Sequence, residues 1–340
     1  MSKTSQNDRI AGVMVGQAVA DALGMGYEFR PTVAPGEEII MKSGALFPMG
    51  SWTDDTEQAI VVALAKANPA ATAEGMLAWL HTHPRDVGRQ TSVVLGGAWD
   101  ATEVMRRSAA YGEYMTSKPA RPGQKPGLAN GSLMRTGPVA LAYLDNSVGI
   151  AKAAREVSDV THADPTGYTG DACVLWSLII SDAVVKGDGN FDLWQACQDA
   201  IGYIPAERRG FWANLAFTAI NGPQPEGKNG AAVAAFAVAL NAVARTHSYE
   251  EAVKTAIRAG HDTDTTAAIA GMLAGALYGM SGIPVLYRDI VHGQAGPYPG
   301  TMKSGDVADL ALALAHGWAY NVPQYARDYP EPKQVSIYAK

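Results

Sequence analysis

Cysteine is scarce in this 340-residue chain, which contains only Cys173 and Cys197. Neither belongs to a CxxC pair or to the dense cysteine framework of a small secreted domain. We therefore expect no disulfide between them and a reducing, cytoplasmic location. A zinc site is also disfavoured, because the pair His81 and His83 has no third ligand at a zinc-like spacing.

Clustered positive charge is missing as well. The chain carries 27 Lys and Arg against 33 Asp and Glu, a net charge of −6, and no segment concentrates the basic residues. Nucleic acid is therefore not an expected partner. The sequence has neither a GxGxxG motif after a strand nor a Walker motif, which disfavours the folds that bind nucleotide cofactors.

Apolar residues are abundant, and their spacing is helical. The chain is 47% hydrophobic and 18% charged, enough to bury a large core. Spacings of three and four residues prevail over alternating runs, so we predict an all-α fold in one domain over residues 1–340, with a core at about 10–320 and a tail at 321–340. Helices are predicted over residues 8–24, 54–67, 72–82, 88–107, 132–144, 148–160, 167–186, 191–201, 208–220, 229–245, 249–259, 264–279 and 305–319. Loops rich in Pro and Gly are predicted over residues 116–131, 221–230 and 292–305.

The apolar run at residues 265–287 is long enough to span a bilayer and carries Gly271, Gly275 and Gly279 at GxxxG spacing. It is poor in Leu, Ile and Phe, meets Pro284 early and has no second span to pair with. We interpret it as a buried core helix whose small residues allow a neighbouring helix to pack closely, and we expect no membrane partner.

A polar cluster opens this apolar helix in "AGHDTDTTAAIAGMLAGALYG" (259–279). On a regular helix Asp262 and Asp264 would point about 200° apart, whereas in an extended approach they share a side. The stretch therefore indicates a loop-to-helix junction at which Asp262, Asp264 and the Thr265 hydroxyl converge. Oxygen ligands of this kind suit hard cations such as Mg²⁺ or Mn²⁺.

A second cluster of this kind, Thr53, Asp54 and Asp55, opens the helix in "GSWTDDTEQAIVVALAKA". Helix capping is the alternative at both junctions, and Asp54 with Glu57 would resemble a capping box. Neighbouring side chains diverge by about 100° on a helix, so Asp54 and Asp55 cannot serve the same cap. Two such junctions, far apart in sequence, indicate two halves of one site.

With these motifs in place, the chain resembles the ADP-ribosylglycohydrolase family. The resemblance implies an all-α fold with two Mg²⁺ or Mn²⁺ ions and hydrolysis of the bond that joins ADP-ribose to its acceptor. It rests on segments that follow the family's order: "AGVMVGQAVADALGMGYEF" (11–29), "WTDDTEQA" (52–59), "HPRDVG" (83–88), "NGSLMRTGPVAL" (130–141), "THADPTGYTGDA" (161–172) and residues 259–279.

The resemblance also implies the ligands and catalytic groups. Thr53, Asp54 and Asp55 would hold one metal, Asp262 and Thr265 the other, and Asp264 would be shared. The implied catalytic residues are Glu28, Asp55, Asp86 and Asp264, with Glu28 near the metals and the scissile bond and Asp86 in contact with the ribose and the acceptor. Without the family, Glu28 reads as a surface acid at a helix end and Asp86 as a helix N-cap.

Substrate binding is expected around Asn130, Gly131 and Ser132, because backbone N–H groups at the entrance to a helix attract an anion such as a diphosphate. A plain Asn-Gly turn is the alternative. His162 matches a family histidine that lines the ADP-ribose cleft, although a lone histidine is more often structural. His261 stands where the family commonly has glycine, and its role is open.

The expected activity is removal of ADP-ribose from an ADP-ribosylated protein or small molecule, with free ADP-ribose as the product. Arginine N-glycosides come first, because "HPRDVG" is similar to the arginine-directed branch and an aspartate pairs well with a guanidinium. Serine, nucleobase and small-molecule acceptors stay open, as do a catalytically silent ADP-ribose-binding relative and a metal-assisted phosphate-ester hydrolase.

Overall fold

Helices dominate the computed structural model, which describes residues 4–28, 30–34, 36–119, 125–187 and 189–328. The helices are α1 (Gln6–Gly24), α2 (Asp54–Leu64), α3 (Pro69–His81), α4 (Arg89–Leu95), α5 (Ala101–Thr116), α6 (Gly137–Ala142), α7 (Ser147–His162), α8 (Tyr168–Lys186), α9 (Leu193–Ile201), α10 (Ala206–Asn221), α11 (Ala232–Ala244), α12 (Tyr249–Arg258), α13 (Thr263–Tyr278), α14 (Val285–Ile290), α15 (Ser304–His316) and α16 (Gln324–Arg327). Short 3₁₀ helices cover Met25–Tyr27, Asn130–Arg135 and Met280–Gly282. The predicted all-α fold is confirmed.

Three local predictions are wrong. The helix predicted over 132–144 is a 3₁₀ helix, Asn130–Arg135, followed by the short α6. The helix predicted over 88–107 is split into α4 and α5, because Gly97 adopts φ +83 and Asp100 starts a new helix by accepting a hydrogen bond from the Glu103 backbone N–H at 2.7 Å. The loop predicted over 292–305 contains an antiparallel hairpin, β1 (His292–Ala295) and β2 (Tyr298–Lys303). Parts of the predicted loop 116–131 and tail 321–340 lie outside the described residues.

The helices α1 and α13 cross in backbone contact through glycines. A Cβ placed on Gly12 would lie 2.2 Å from the Gly275 carbonyl oxygen, and one on Gly16 would lie 2.5 Å from that of Gly271. Further along, a Cβ on Gly24 would lie 2.5 Å from the carbonyl oxygen of Thr263. The predicted close packing is confirmed, and the antiparallel crossing sets the end of α1 against the start of α13.

The main hydrophobic core draws residues from Ile10 in α1 to Ala326 in α16. A smaller core surrounds Trp79, a fully buried residue of α3. Two helical stretches of the described chain, Gln6–Tyr27 and Tyr168–Lys186, are long and apolar enough to cross a membrane, yet their apolar windows are 100% and 83% buried in the protein. Burial of that extent is typical of core helices. The single-domain boundary over residues 1–340 stays a prediction.

Candidate active site

Asp21, at the end of α1, anchors the start of α2. Its carboxylate is fully buried and accepts hydrogen bonds from the backbone N–H groups of Thr53 and Thr56, both at 3.1 Å. The hydroxyl groups of the same threonines also donate to it, at 2.9 and 2.6 Å. Burial raises the pKa of Asp21 to about 6, and the threonine hydrogen bonds oppose that shift.

Sequence reasoning missed Asp21. It is the only charged residue between Arg9 and Glu28, on a helix that is buried on every side. A lone carboxylate in such a helix needs hydrogen-bond donors, and that requirement was the available signal. Its partners lie more than thirty residues away, so the sequence could not identify them.

Asp54 and Asp55 leave the start of α2 in different directions, as predicted. Asp54 Oδ2 accepts hydrogen bonds from Gln58 Nε2 at 3.0 Å and from the Gly88 backbone N–H at 3.4 Å. Asp55 Oδ2 lies 3.1 Å from Thr53 Oγ1 and accepts from Thr265 Oγ1 at 3.4 Å. The contact between Asp55 and Thr265 joins the two acidic junctions.

The capping box considered for Asp54 and Glu57 does not form. Thr53 caps α2 instead, by accepting from the Asp55 backbone N–H at 3.4 Å. Glu57 turns away from the helix start, and its Oε2 accepts a hydrogen bond from Trp79 Nε1 at 2.7 Å. The carboxylates of Asp54 and Asp55 are therefore left for another purpose.

Glu28, Asp262 and Asp264 bring carboxylate oxygens to within 4.8 Å of one another. Glu28 follows the 3₁₀ turn at the end of α1, and the two aspartates stand at the start of α13. Asn130 Nδ2 donates to Asp262 Oδ2 at 2.8 Å, and the Asp262 backbone N–H donates to Asn229 Oδ1 at 3.1 Å. Within the described residues Asp262 makes no side-chain capping bond to α13, so capping does not explain its carboxylate.

Burial, and after it mutual repulsion, sets the electrostatics of this cluster. Burial, with the charges of Asp262, Asp86 and Asp21, raises the pKa of Glu28 to about 8. Burial and neighbouring carboxylates also raise the pKa values of Asp54, Asp55 and Asp264 well above the ordinary aspartate range. So many acids in one place favour either bound protons or a bound cation.

The donor set fits a hard divalent cation. Asp55 Oδ1 is buried and has no hydrogen-bond partner among the residues that the structure describes. A buried carboxylate oxygen without a partner is costly unless a cation or proton is bound to it. All the converging groups are carboxylates and hydroxyls, the ligands that Mg²⁺ and Mn²⁺ prefer.

Asp86 lies at the edge of the cluster on the loop between α3 and α4. It is half-buried, and its charge contributes to the raised pKa values of both Glu28 and Asp54. Gly88 occupies the N-cap position of α4, and Asp86 Oδ1 instead accepts from the adjacent Val87 backbone N–H at 2.8 Å. The N-cap alternative for Asp86 is therefore wrong.

The stretch from Asn130 to Ser132 begins a 3₁₀ helix beside Asp262. The side chain of Ser132 points into the core, where its Oγ accepts a hydrogen bond from Ser158 Oγ at 2.9 Å. Only the backbone of Ser132 is therefore left for a ligand. A Cβ on Gly131 would lie 2.9 Å from Cε1 and Nε2 of His162, so this glycine packs directly on the imidazole.

Known proteins resemble this chain in sequence and in fold. Residues 2–321 match the family model described as ADP-ribosylglycohydrolase. The chain is 27% identical over 299 residues to the ADP-ribosyl-dinitrogen reductase glycohydrolase of Rhodospirillum rubrum, covering 84% of this chain and 90% of that protein. It is 26% identical over 285 residues to ADP-ribosylarginine hydrolase Tri1 of Pseudomonas putida (strain GB-1), covering 82% and 72%.

A solved structure named ADP-ribosylglycohydrolase-related protein complex superimposes with a TM-score of 0.67 at 27% identity, and the match covers 92% of this chain and 98% of that one. The resemblance predicted from the motifs is thereby confirmed, together with the expectation that the protein is an enzyme. The chain belongs to the ADP-ribosylglycohydrolase family.

Proposed function

We propose that the protein hydrolyses the N-glycosidic bond between ADP-ribose and an arginine side chain of a modified protein. One observation carries the proposal: the acidic starts of α2 and α13 meet at the contact between Asp55 and Thr265, with Glu28 beside them. A protein that only bound ADP-ribose would not need both acidic junctions.

The proposed cofactors are two Mg²⁺ or Mn²⁺ ions. Thr53, Asp54 and Asp55 would hold one ion, Asp262 and Thr265 the other, and Asp264 would be shared between them. When bound, such a pair holds ribose hydroxyl groups and lowers the pKa of water. The partnerless Asp55 Oδ1 and the oxygen-only donor set support this assignment.

In the proposed reaction the bond from the anomeric carbon to the guanidinium nitrogen breaks, and the carbon gains the hydroxyl group of a water molecule. The water's remaining proton goes to the leaving nitrogen, so the products are ADP-ribose and arginine. Glu28 is the proposed group that takes and returns this proton, because its carboxylate oxygen lies within 4.8 Å of those of Asp262 and Asp264, beside the proposed ions. Nearby carboxylates stabilise the positive charge that develops on the ribose.

Arginine is the proposed acceptor for two reasons. A relative named ADP-ribosylarginine hydrolase covers 82% of this chain. Asp86 also lies at the edge of the acidic cluster, where its carboxylate would form paired hydrogen bonds with a guanidinium. The backbone N–H groups of Gly131 and Ser132, with His162, form the proposed binding site for the diphosphate. The Asn130 N–H does not take part, because it donates to the Gly230 carbonyl oxygen at 3.1 Å.

The test measures ADP-ribose release from an arginine-ADP-ribosylated protein with Mg²⁺ or Mn²⁺, with EDTA, and with the variant Asp264→Asn. Asp8→Asn is the matched control, since Asp8 lies at the opposite end of α1 and accepts hydrogen bonds from Ser281. Release that requires metal and Asp264 but not Asp8 supports the proposal. No release by folded, metal-loaded protein refutes the arginine assignment. Serine-linked substrate and an assay for inorganic phosphate then test the other acceptors and the phosphate-ester alternative.

A further inference from the structure

A buried cation connects the acidic cluster to the diphosphate side of the site. Arg135 is fully buried, and in the described part of the chain it forms no ion pair. Its Nη1 donates to Gln58 Oε1 at 2.8 Å, while Gln58 Nε2 donates to Asp54 Oδ2 at 3.0 Å. Its Nη2 donates to Thr161 Oγ1 at 2.8 Å. A guanidinium only donates, so the direction of each bond is fixed.

The Thr161 hydroxyl lies 2.7 Å from Nδ1 of His162. A hydroxyl group has one proton to donate, and this one already accepts from Arg135. If Nδ1 carried a proton, the hydroxyl proton would have no acceptor among the described residues. Both side chains are buried, so such an unmatched donor is costly. The hydroxyl therefore donates to Nδ1, and the ring proton of a neutral His162 sits on Nε2.

Two further observations agree with a neutral imidazole. Burial and the nearby charge of Arg135 lower the pKa of His162 well below its usual value. The Nε2 edge of the ring packs against Gly131, where a Cβ would lie 2.9 Å from Nε2. Among the described residues Nε2 has no hydrogen-bond partner, so its N–H is left for a ligand.

We propose that Arg135 and Thr161 are positioning residues that fix the proton of His162 on Nε2, so that the ring donates a hydrogen bond at Gly131 to an anionic oxygen of ADP-ribose. The identity of the ligand rests on the function proposed above, whereas the proton position does not. Gln58 extends the same chain of hydrogen bonds to Asp54, so one buried guanidinium orients groups on both sides of the site.

The first experiment records nitrogen spectra of protein labelled with ¹⁵N-histidine, with the His162 signals identified by their loss in His162→Gln. The wild type should show a protonated Nε2 and an unprotonated Nδ1. Thr161→Val removes the hydroxyl at nearly constant volume and should change that pattern, while Thr161→Ser should preserve it. Thr72→Val is the matched control, because the Thr72 hydroxyl is also buried but has no hydrogen-bond partner among the described residues.

The second experiment measures ADP-ribose affinity by calorimetry in the same proteins with Mg²⁺ present. Thr161→Val should weaken binding by roughly tenfold or more, the value of a hydrogen bond to a charged group, and Thr161→Ser should restore it. Protonation at Nδ1 in the wild type, or unchanged affinity in Thr161→Val, overturns the proposal. If the wild type binds no ADP-ribose, the proposed function and the ligand assignment fail together, and the nitrogen spectra still decide the proton position.

Discussion

Glu57 tests whether burial raises the pKa values of acidic residues in this part of the protein. It is buried on α2, directly behind the acidic cluster, and its carboxyl accepts a hydrogen bond from Trp79. Burial is the main reason that its pKa is raised from 4.5 to about 8, although the Trp79 bond opposes the shift. Glu57→Gln keeps an acceptor oxygen for Trp79 and removes the titrating proton.

The raised pKa fixes the sign and size of the effect. The folded state favours the neutral form of Glu57. The contribution of Glu57 to the free energy of unfolding is therefore fully present below its unfolded pKa of 4.5 and is lost as pH rises through about 8. At about 1.4 kcal/mol for each pH unit between the two pKa values, the loss approaches roughly 5 kcal/mol well above pH 8. Glu57→Gln avoids that loss.

Urea unfolding of both proteins in EDTA, at about pH 5 and about pH 8, measures the effect. The variant should match the wild type within about 1 kcal/mol at the lower pH and be more stable by about 3 to 4 kcal/mol at the higher pH. Glu74→Gln, at an exposed position on α3, should show the same small difference at both pH values. A difference between Glu57→Gln and wild type that does not change with pH would refute the reasoning.

Three other predictions follow from the same geometry. Gly12→Ala places a methyl group 2.2 Å from a carbonyl oxygen of α13. It should lower the free energy of unfolding by at least about 3 kcal/mol in urea titrations. The control Gly210→Ala, in open space on α10, should be neutral or stabilising. Asp21→Asn leaves a backbone N–H at the start of α2 without its acceptor. The kcat for ADP-ribose release should therefore fall by roughly tenfold or more. Equal rates in Asp21→Asn and Asp8→Asn would contradict the anchoring role of Asp21. Mg²⁺ or Mn²⁺ at about 100 times its Kd should stabilise the protein by about 2.7 kcal/mol for each ion bound, as measured in thermal scans. The same stabilisation in Asp55→Asn would argue against Asp55 as a ligand.

Local patterns predicted the helical fold and both acidic junctions. Asp54 and Asp55 begin α2 and Asp262 precedes α13, because clusters of acids and hydroxyls before apolar runs mark helix starts whatever they bind. The hairpin formed by β1 and β2 was missed because its strands are short and rich in Gly and Pro, which normally indicate a loop.

Contacts between distant segments could not be predicted from the sequence. Whether Glu57 pairs with its own helix or with Trp79 depends on where α3 packs, and the tertiary hydrogen bond wins. The hydrogen bonds of Asp21 and Arg135 form only when other helices pack around them. The orientation of Ser132 has the same cause, because Ser158 in the core donates a hydrogen bond to its hydroxyl oxygen.

The glycine crossing of α1 and α13 also has a consequence for protein synthesis. The hydrogen bond from Thr263 Oγ1 to the Gly24 carbonyl at this contact joins residues 239 positions apart. At about 5 to 20 residues per second, the ribosome takes on the order of tens of seconds to supply the second helix. Throughout that interval the mostly apolar α1 lacks the helix that packs against it, and the acidic centre lacks Asp262, Asp264 and Thr265. Nascent chains that stop before α13 are therefore expected to aggregate or to occupy chaperones, and only chains extended beyond it contain all of the proposed metal ligands.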